Sequence, residues 1–241
     1  GHTVKSVRLR GELSEGVTIP FKRVRHILGV NSIEDIPVGE DISEKLGIEE
    51  FTVYVPPQYV GHWSTTTAEN FSRHDCENLR LYTKEFEEGE NIIAMEKIHG
   101  SQINIMFFPD GHIELSSKGI IGKGFIIDES EDNVYWKALH NSGMIDIVQK
   151  TFPGKFVQMM GEVVPVQSGF DYGYNSENPD ILFFRLEIEH ERFSAIQVRD
   201  MYPEIFAKWV PIVYEGKFDV DTLYDISNYE TIGGKKVKRM E

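Results

Sequence analysis

Apolar and polar positions change period several times along this chain of 241 residues, and the changes divide it into short elements. Val4 to Leu9 alternates in the manner of a half-buried strand, Gly11 and Gly16 bracket a turn, and Val17 to Phe21 reads as a second strand. Asp41 to Leu46 has the make-up of a short helix ended by Gly47, and Glu50 to Val55 that of a strand stopped by Pro56-Pro57. Gln58 to Ser72, with Gly, Trp and three consecutive Thr, reads as a linker. Between Arg73 and Glu87, the placing of Leu79, Leu81, Tyr82 and Phe86 predicts a helix.

The middle of the chain is richer in strand signals. Two branched and aromatic runs, Asn91 to Ala94 and Ile103 to Phe108, predict strands, and Phe108-Pro109-Asp110-Gly111 predicts a hairpin turn into a strand from His112 to Lys118. Gly119-Ile120-Ile121-Gly122-Lys123-Gly124 lacks the spacer and ending of a phosphate loop and reads as a flexible turn. Glu131 to Phe152 is a predicted helix with a weak point at Gly143, its Val134, Leu139, Ile145 and Val148 facing a sheet. Lys155 to Pro165 is strand-like and apolar apart from Gly161-Glu162. A carboxylate inside such a run needs a partner, because burying it alone is costly. A long polar loop from Gln167 to Pro179 leads into strands at Asp180 to Ile188 and Trp209 to Gly216, and Asp219 to Ile226 predicts a closing helix.

Composition changes this picture little. With 40% hydrophobic and 27% charged residues the chain is globular, and its length suffices for a proper core. No apolar run approaches the length of a membrane span, and no signal-peptide layout opens the sequence, so a soluble, cytoplasmic protein with no membrane association is expected. Gly1-His2 reads as a remnant of tag cleavage. The single Cys76 excludes an internal disulfide framework and reads as a small apolar filler. Net charge is −14, from 25 basic and 39 acidic residues, which counts against nucleic-acid binding through a uniform field. Two basic runs stand out locally, Lys22-Arg23-Val24-Arg25-His26 and Lys235-Lys236-Val237-Lys238-Arg239. Each reads equally well as a solvated face or a phosphate track.

The chemistry concentrates between the two central strands, at Met95-Glu96-Lys97-Ile98-His99-Gly100-Ser101-Gln102. The pattern puts Lys97 at the end of a buried strand, where the chain turns at Gly100. Burying an ammonium without a partner costs several kcal/mol, so Lys97 is a candidate nucleophile. A nucleophilic amine must be neutral, and at an unperturbed pKa of about 10.4 only about one lysine in a few thousand is neutral at pH 7. The alternative is a lysine whose stem packs while its head reaches water or pairs with Glu96. The eight histidines show no paired spacing for zinc, and His74-Asp75-Cys76-Glu77 reads as a helix-start cluster.

Glu96-Lys97-Ile98-His99-Gly100-Ser101 resembles motif I of the covalent lysyl nucleotidyltransferases, the polynucleotide ligases and capping enzymes, in the form found in ATP-dependent RNA ligases. The resemblance implies that Lys97 attacks the α-phosphate of ATP, with Glu96, Ile98, His99 and Gly100 around the nucleotide. Gln102 stands where several relatives have Asn. Ser116-Ser117-Lys118-Gly119 resembles motif Ia, with Lys118 in place of Arg, so charge is kept and the bidentate fork is lost. Gly161-Glu162 resembles motif III, which implies that Glu162 accepts hydrogen bonds from the ribose. Asp180-Ile181-Leu182-Phe183-Phe184-Arg185-Leu186-Glu187-Ile188 resembles motif IIIa, with Leu186 at the position of the adenine-stacking aromatic and Glu187 at that of its acid. Phe184, two residues from Leu186, is expected on the same side of the strand. Trp209 to Gly216 resembles a segment that these ligases carry before their last motifs. Glu96 and Glu187 are the implied metal ligands, for Mg²⁺ or Mn²⁺.

Val7-Arg8-Leu9-Arg10-Gly11, Ser14-Glu15-Gly16 and Tyr54-Val55-Pro56-Pro57 resemble the Deinococcus-type RNA ligases, which carry an OB module before the nucleotidyltransferase domain. The expected fold is therefore α+β: a two-sheet antiparallel nucleotidyltransferase core over 61–241, preceded by a partial OB-like module over 1–60. The implied activity joins an RNA 5′-phosphate to a 3′-hydroxyl through lysyl-AMP and an adenylated RNA. DNA ligation or guanylyl transfer is a second reading, opposed by His99 where those enzymes more often have Asp. A non-catalytic RNA- or nucleotide-binding subunit is a third. Glu241 reads as the first residue of motif IV, with motif V beyond the end, so this chain alone is expected to be inactive or slow.

Overall fold

The computed structural model describes residues 18–48, 60–87, 89–167 and 170–226, together with residues 55 and 57 and the backbone of Val7–Leu9 and Glu12–Ser14. The chain separates into two compact units, 1–54 and 55–241.

In the first unit, β1 (Val7–Leu9) and β2 (Glu12–Ser14) form an antiparallel hairpin in which Val7 faces Ser14. Two helices follow, α1 (Phe21–Leu28) and α2 (Ser43–Leu46). The strand expected over Val17 to Phe21 is not formed. Pro20 precedes the first turn of α1, Lys22, Arg23 and Arg25 are good helix formers, and Phe21, Val24 and Leu28 recur at helical spacing. The first basic run thus lies on α1, and Gly29 ends the helix in the left-handed conformation. Gly47 stops α2 in the same way, as its position in sequence predicts. The strand expected over Glu50 to Val55 lies outside the described residues except for Val55, as does the second basic run.

The second unit is built on a five-stranded antiparallel sheet. Its elements are β3 (Trp63–Thr65), α3 (Leu79–Tyr82), β4 (Asn91–Met95), β5 (Ser101–Phe107), β6 (Ile113–Ser117), α4 (Lys118–Ile121), β7 (Phe125–Ile127), α5 (Val134–Ser142), α6 (Met144–Thr151) and β8 (Val157–Val164). Then come β9 (Asp180–Ile188), β10 (Glu191–Phe193), α7 (Ala195–Met201), α8 (Pro203–Phe206), β11 (Ile212–Lys217) and α9 (Val220–Ile226). The large sheet runs β10-β9-β8-β5-β6, while β4 pairs with β11 and β3 with β7 in two smaller ribbons. Alternation along the strands gives the large sheet two different faces. Ile103, Ile105, Val157, Met159 and Leu186 are fully buried among apolar neighbours, and α5 packs against β8 and β9. On the opposite face lie Asn104, Gln158 and Glu187, also buried, with Gln158 Nε2 donating to Asn104 Oδ1 at 2.8 Å.

Three expectations are corrected here. The stretch read as a linker is structural: Trp63 to Thr65 pair with β7, the Trp63 ring packs near Phe125, and Thr66 and Thr67 donate to the buried carboxylate of Glu114. Paired Trp and Thr suit a strand, and a buried carboxylate without those donors would cost several kcal/mol. The helix expected from Arg73 shrinks to α3 and a 3₁₀ turn, Thr83–Glu85. Residues before it form no helix, and Ser72 among them is tied to the polar face of the sheet. Its N–H donates to Gln158 Oε1 at 2.8 Å and its hydroxyl to Glu187 Oε2 at 2.6 Å. The supposed flexible turn from Gly119 begins as α4, because Ile120 and Ile121 find burial there.

The long helix does break at Gly143, whose φ of 69° ends α5 and opens α6. Leu139 and Val148 are buried, while Val134 and Ile145 are half-buried. Helix α7 starts at a capping box in which Ser194 and Gln197 satisfy each other's backbone N–H groups. Among the described residues no helix is long and apolar enough to cross a membrane.

At Gly161, β8 passes so close to β9 that an added Cβ would lie 2.6 Å from Ile181 Cγ2 and 2.7 Å from the Leu182 carbonyl oxygen. Gly161→Ala should therefore destabilise the second unit by about 1–3 kcal/mol, by overpacking at a site with no room to relax. Urea unfolding should show a lower midpoint with an unchanged slope.

Candidate functional site

Strands β4 and β5 are consecutive in sequence but belong to different sheets, so residues 96–100 form the bridge between them. This bridge is held from three sides. The Glu96 N–H donates to the Pro211 carbonyl at 2.9 Å, and the His99 N–H donates to the Tyr172 hydroxyl at 2.9 Å. The Gly100 carbonyl accepts from Gln167 Nε2 at 2.7 Å. Gly100 also lies so close to β8 that an added Cβ would stand 2.5 Å from the Val163 carbonyl oxygen. Glu96 and Ile98 are each 3% exposed, whereas Lys97 between them is exposed. The expectation of a buried lysine is thus corrected. The backbone is anchored and the side chain faces open space.

That space is a cavity of about 500 Å³ on the polar side of the sheet. Of the residues that motif resemblance singles out, Glu96, Lys97, Ile98, Gly100, Lys118, Glu162 and Phe184 line it. His99, Leu186 and Glu187 do not. The His99 ring packs 4.8 Å from that of Phe170, toward the polar loop. Leu186 is fully buried opposite Met159. Phe184 reaches the cavity although Leu186 does not, because a β-bulge lies between them: Phe183 pairs with Gly161 and Arg185 with Met160, leaving Phe184 as the extra residue. Glu187 is 3% exposed and its carboxylate is already taken, by Arg185 Nε at 2.7 Å and by the Ser72 hydroxyl.

The strap of chain around Ser72 contributes a wall that sequence patterns did not reveal. His74, Asp75 and Cys76 line the cavity, as do Gln102 and Arg192. The His74 ring lies 4.7 Å from Phe184, its Nε2 is 3.1 Å from Cys76 Sγ, and Asp75 accepts from Lys118 Nζ at 2.6 Å. Cys76 is exposed, which corrects its reading as a core filler, and His74 to Glu77 precede α3 without starting it. The density of polar residue types at 74–77 was the available signal, and only tertiary contacts show where they point.

Electrostatically the cavity is mixed. Burial pushes the Glu162 carboxyl up to about 7, against the pull of Lys97 and Lys118. Burial also lowers the His74 pKa, helped by the positive charges of Arg185, Arg192 and Lys118 and opposed by Asp75, which favours the neutral ring. Among the described residues no group of three or more His, Cys, Asp or Glu side chains is placed to hold a metal ion by itself.

One cavity thus brings together an exposed lysine on an anchored loop, a carboxyl shifted toward its neutral form and an aromatic ring. The RNA ligase family model matches residues 90–241, and the chain belongs to that family. Solved structures of a Naegleria gruberi RNA ligase share the fold. A mutant with ATP and Mn superposes with a TM-score of 0.62 at 20% identity, over 97% of this chain and 68% of that one. The same ligase with PPi gives 0.59 at 21% identity, over 98% and 68%. Another mutant, with AMP and Mn, gives 0.60 at 20% identity, over 98% and 68%. No curated protein matched the chain.

Because folded Glu162 keeps its proton up to about pH 7 and an unfolded glutamate releases it near 4.5, stability should be highest below that lower value and fall as pH rises through the window. The slope is at most about 1.4 kcal/mol per pH unit, less the screening of a partly exposed group. Denaturation midpoints from pH 4.5 to 7.5 should lose this component in Glu162→Gln.

Proposed function

We propose that this chain adenylates itself on Lys97 and passes the AMP to the 5′-phosphate of an RNA end, where a 3′-hydroxyl then displaces it to seal the strand. The observation that carries this reading is the exposed Lys97 on an anchored loop, opening into a cavity with Lys118, Glu162 and Phe184. In the first step the neutral Lys97 amine forms a P–N bond to the α-phosphorus of ATP, and the bond to pyrophosphate breaks. Anchoring at Pro211, Tyr172 and Val163 fixes the direction of attack, an advantage that in well-oriented reactions reaches several kcal/mol. Lys118 offers positive charge near the phosphates. The ribose hydroxyls would donate to Glu162, and binding would favour its ionised form.

The cavity volume suits a nucleotide. A divalent ion that travels with a triphosphate takes most of its ligands from phosphate oxygens and water, with one or two carboxylates from the protein. Glu96, which lines the cavity beside Lys97, would supply such a carboxylate, and Mg²⁺ or Mn²⁺ bound there would screen the triphosphate. Glu187, held by Arg185 and Ser72, supports the wall instead. The ATP, AMP, PPi and Mn named for the Naegleria structures are the reactant, remnant, product and metal that such a first step requires. We read residues 1–60 as the partial OB-like module and 61–241 as the nucleotidyltransferase domain. The division after Tyr54 and the family match from residue 90 support that reading.

Incubation with Mn²⁺ and ATP labelled at the α-phosphate should leave label on the protein through an acid-labile, alkali-stable bond. Lys97→Ala should lose that label completely, and Lys118→Ala should reduce it by about tenfold or more, as expected when a charge-stabilising contact is removed. Slow labelling still supports the reading, whereas folded protein that binds ATP yet acquires no label even over prolonged incubation would reject covalent catalysis by this chain and favour a nucleotide-binding subunit.

A further inference from the structure

Arg192 stands on the short edge strand β10, is exposed, and lines the cavity. Its cross-strand neighbour is Glu187, the acid best placed to neutralise it. That carboxylate is already occupied by Arg185 and Ser72. Lys118, another cation lining the cavity, pairs with Asp75 at 2.6 Å. Arg192 makes no ion pair among the described residues, so its guanidinium is available to a ligand.

Its place along the cavity says which part of a nucleotide it meets. The Lys97 loop meets β8 at Val163, Glu162 pairs with Leu182 of β9, Phe184 is the bulged residue further along β9, and Arg192 pairs with Glu187 beyond it. The groups therefore run from Lys97 through Glu162 to Phe184, on which His74 packs, and on to Arg192 at the far end. With the α-phosphate at Lys97 and the ribose at Glu162, the base falls at Phe184, and Arg192 lies at the base end rather than the phosphate end. A guanidinium suits that position, being flat, weakly hydrated and able to stack on a π-face where an ammonium cannot.

We propose that Arg192 is a base-recognition residue, its guanidinium covering the purine of the bound nucleotide whose other face rests on Phe184. This assignment rests on the ligase reading above. The test is calorimetric binding of two probes, ATP and inorganic tripolyphosphate, to the whole chain. Arg192→Ala should weaken ATP binding about tenfold and leave tripolyphosphate binding unchanged. Arg192→Lys should recover only a small part of the loss, since it restores charge without the plane, and Arg192→Gln should behave like the alanine variant, guarding against a folding defect. Equal weakening of both probes would make Arg192 a phosphate contact, and unchanged ATP affinity would make it a solvated edge residue. Either result overturns the assignment alone. An unsubstituted chain that binds neither probe overturns the ligase reading and this assignment together.

Discussion

Everything at the site depends on one covalent fact: the chain passes from one sheet to another through five residues, and Lys97 is among them. A loop bridging two sheets cannot relax independently of either. Its ends are fixed by the ladders of β4 with β11 and of β5 with β8, and its middle by the contact of Gly100 with the β8 backbone. Side chains alternate along it, so burying Glu96 and Ile98 obliges Lys97 to face outward. The structure shows an anchored backbone presenting an exposed side chain, where the sequence suggested an amine forced into a hydrophobic interior.

The same economy governs charge. A protein with net charge −14 gathers its cations locally, and three of them, Lys97, Lys118 and Arg192, line one cavity. Acidic residues nearby are mostly engaged. Glu187 holds Arg185, Asp75 holds Lys118, and Glu114 is capped by threonine donors. Glu162 is shifted toward its neutral form by burial. The cavity is thus less negative than a count of its carboxylates implies, which is what an anionic nucleotide requires.

Much of this was legible in sequence where local pattern decides the outcome. The strands around motif I, the hairpin at Asp110-Gly111, the break at Gly143 and the long strand from Asp180 follow from periodicity and turn chemistry. Seven of the singled-out residues line one cavity because family motifs record tertiary neighbours. What escaped is what only three dimensions decide. A single extra residue in β9 brings Phe184 to the cavity while Leu186 packs into the core, and strand alternation carries no sign of it. The strap at 71–77 has polar residues that fit a helix start equally well, and only the contacts of Ser72 with Gln158 and Glu187 show it tied to the sheet. Thr66 and Thr67 read as linker until the buried Glu114 is known to need them.

The anchors of the Lys97 loop lie far away along the chain: Val163, Tyr172 and Pro211 all come after it. Contacts of such long sequence separation form late, since each must overcome the entropy of closing the intervening chain. During synthesis, the segment bearing Lys97 emerges well before the residues that orient it. A nascent chain that ends before Pro211 therefore carries Lys97 without the carbonyl that holds the Glu96 N–H and without the β11 partner of β4.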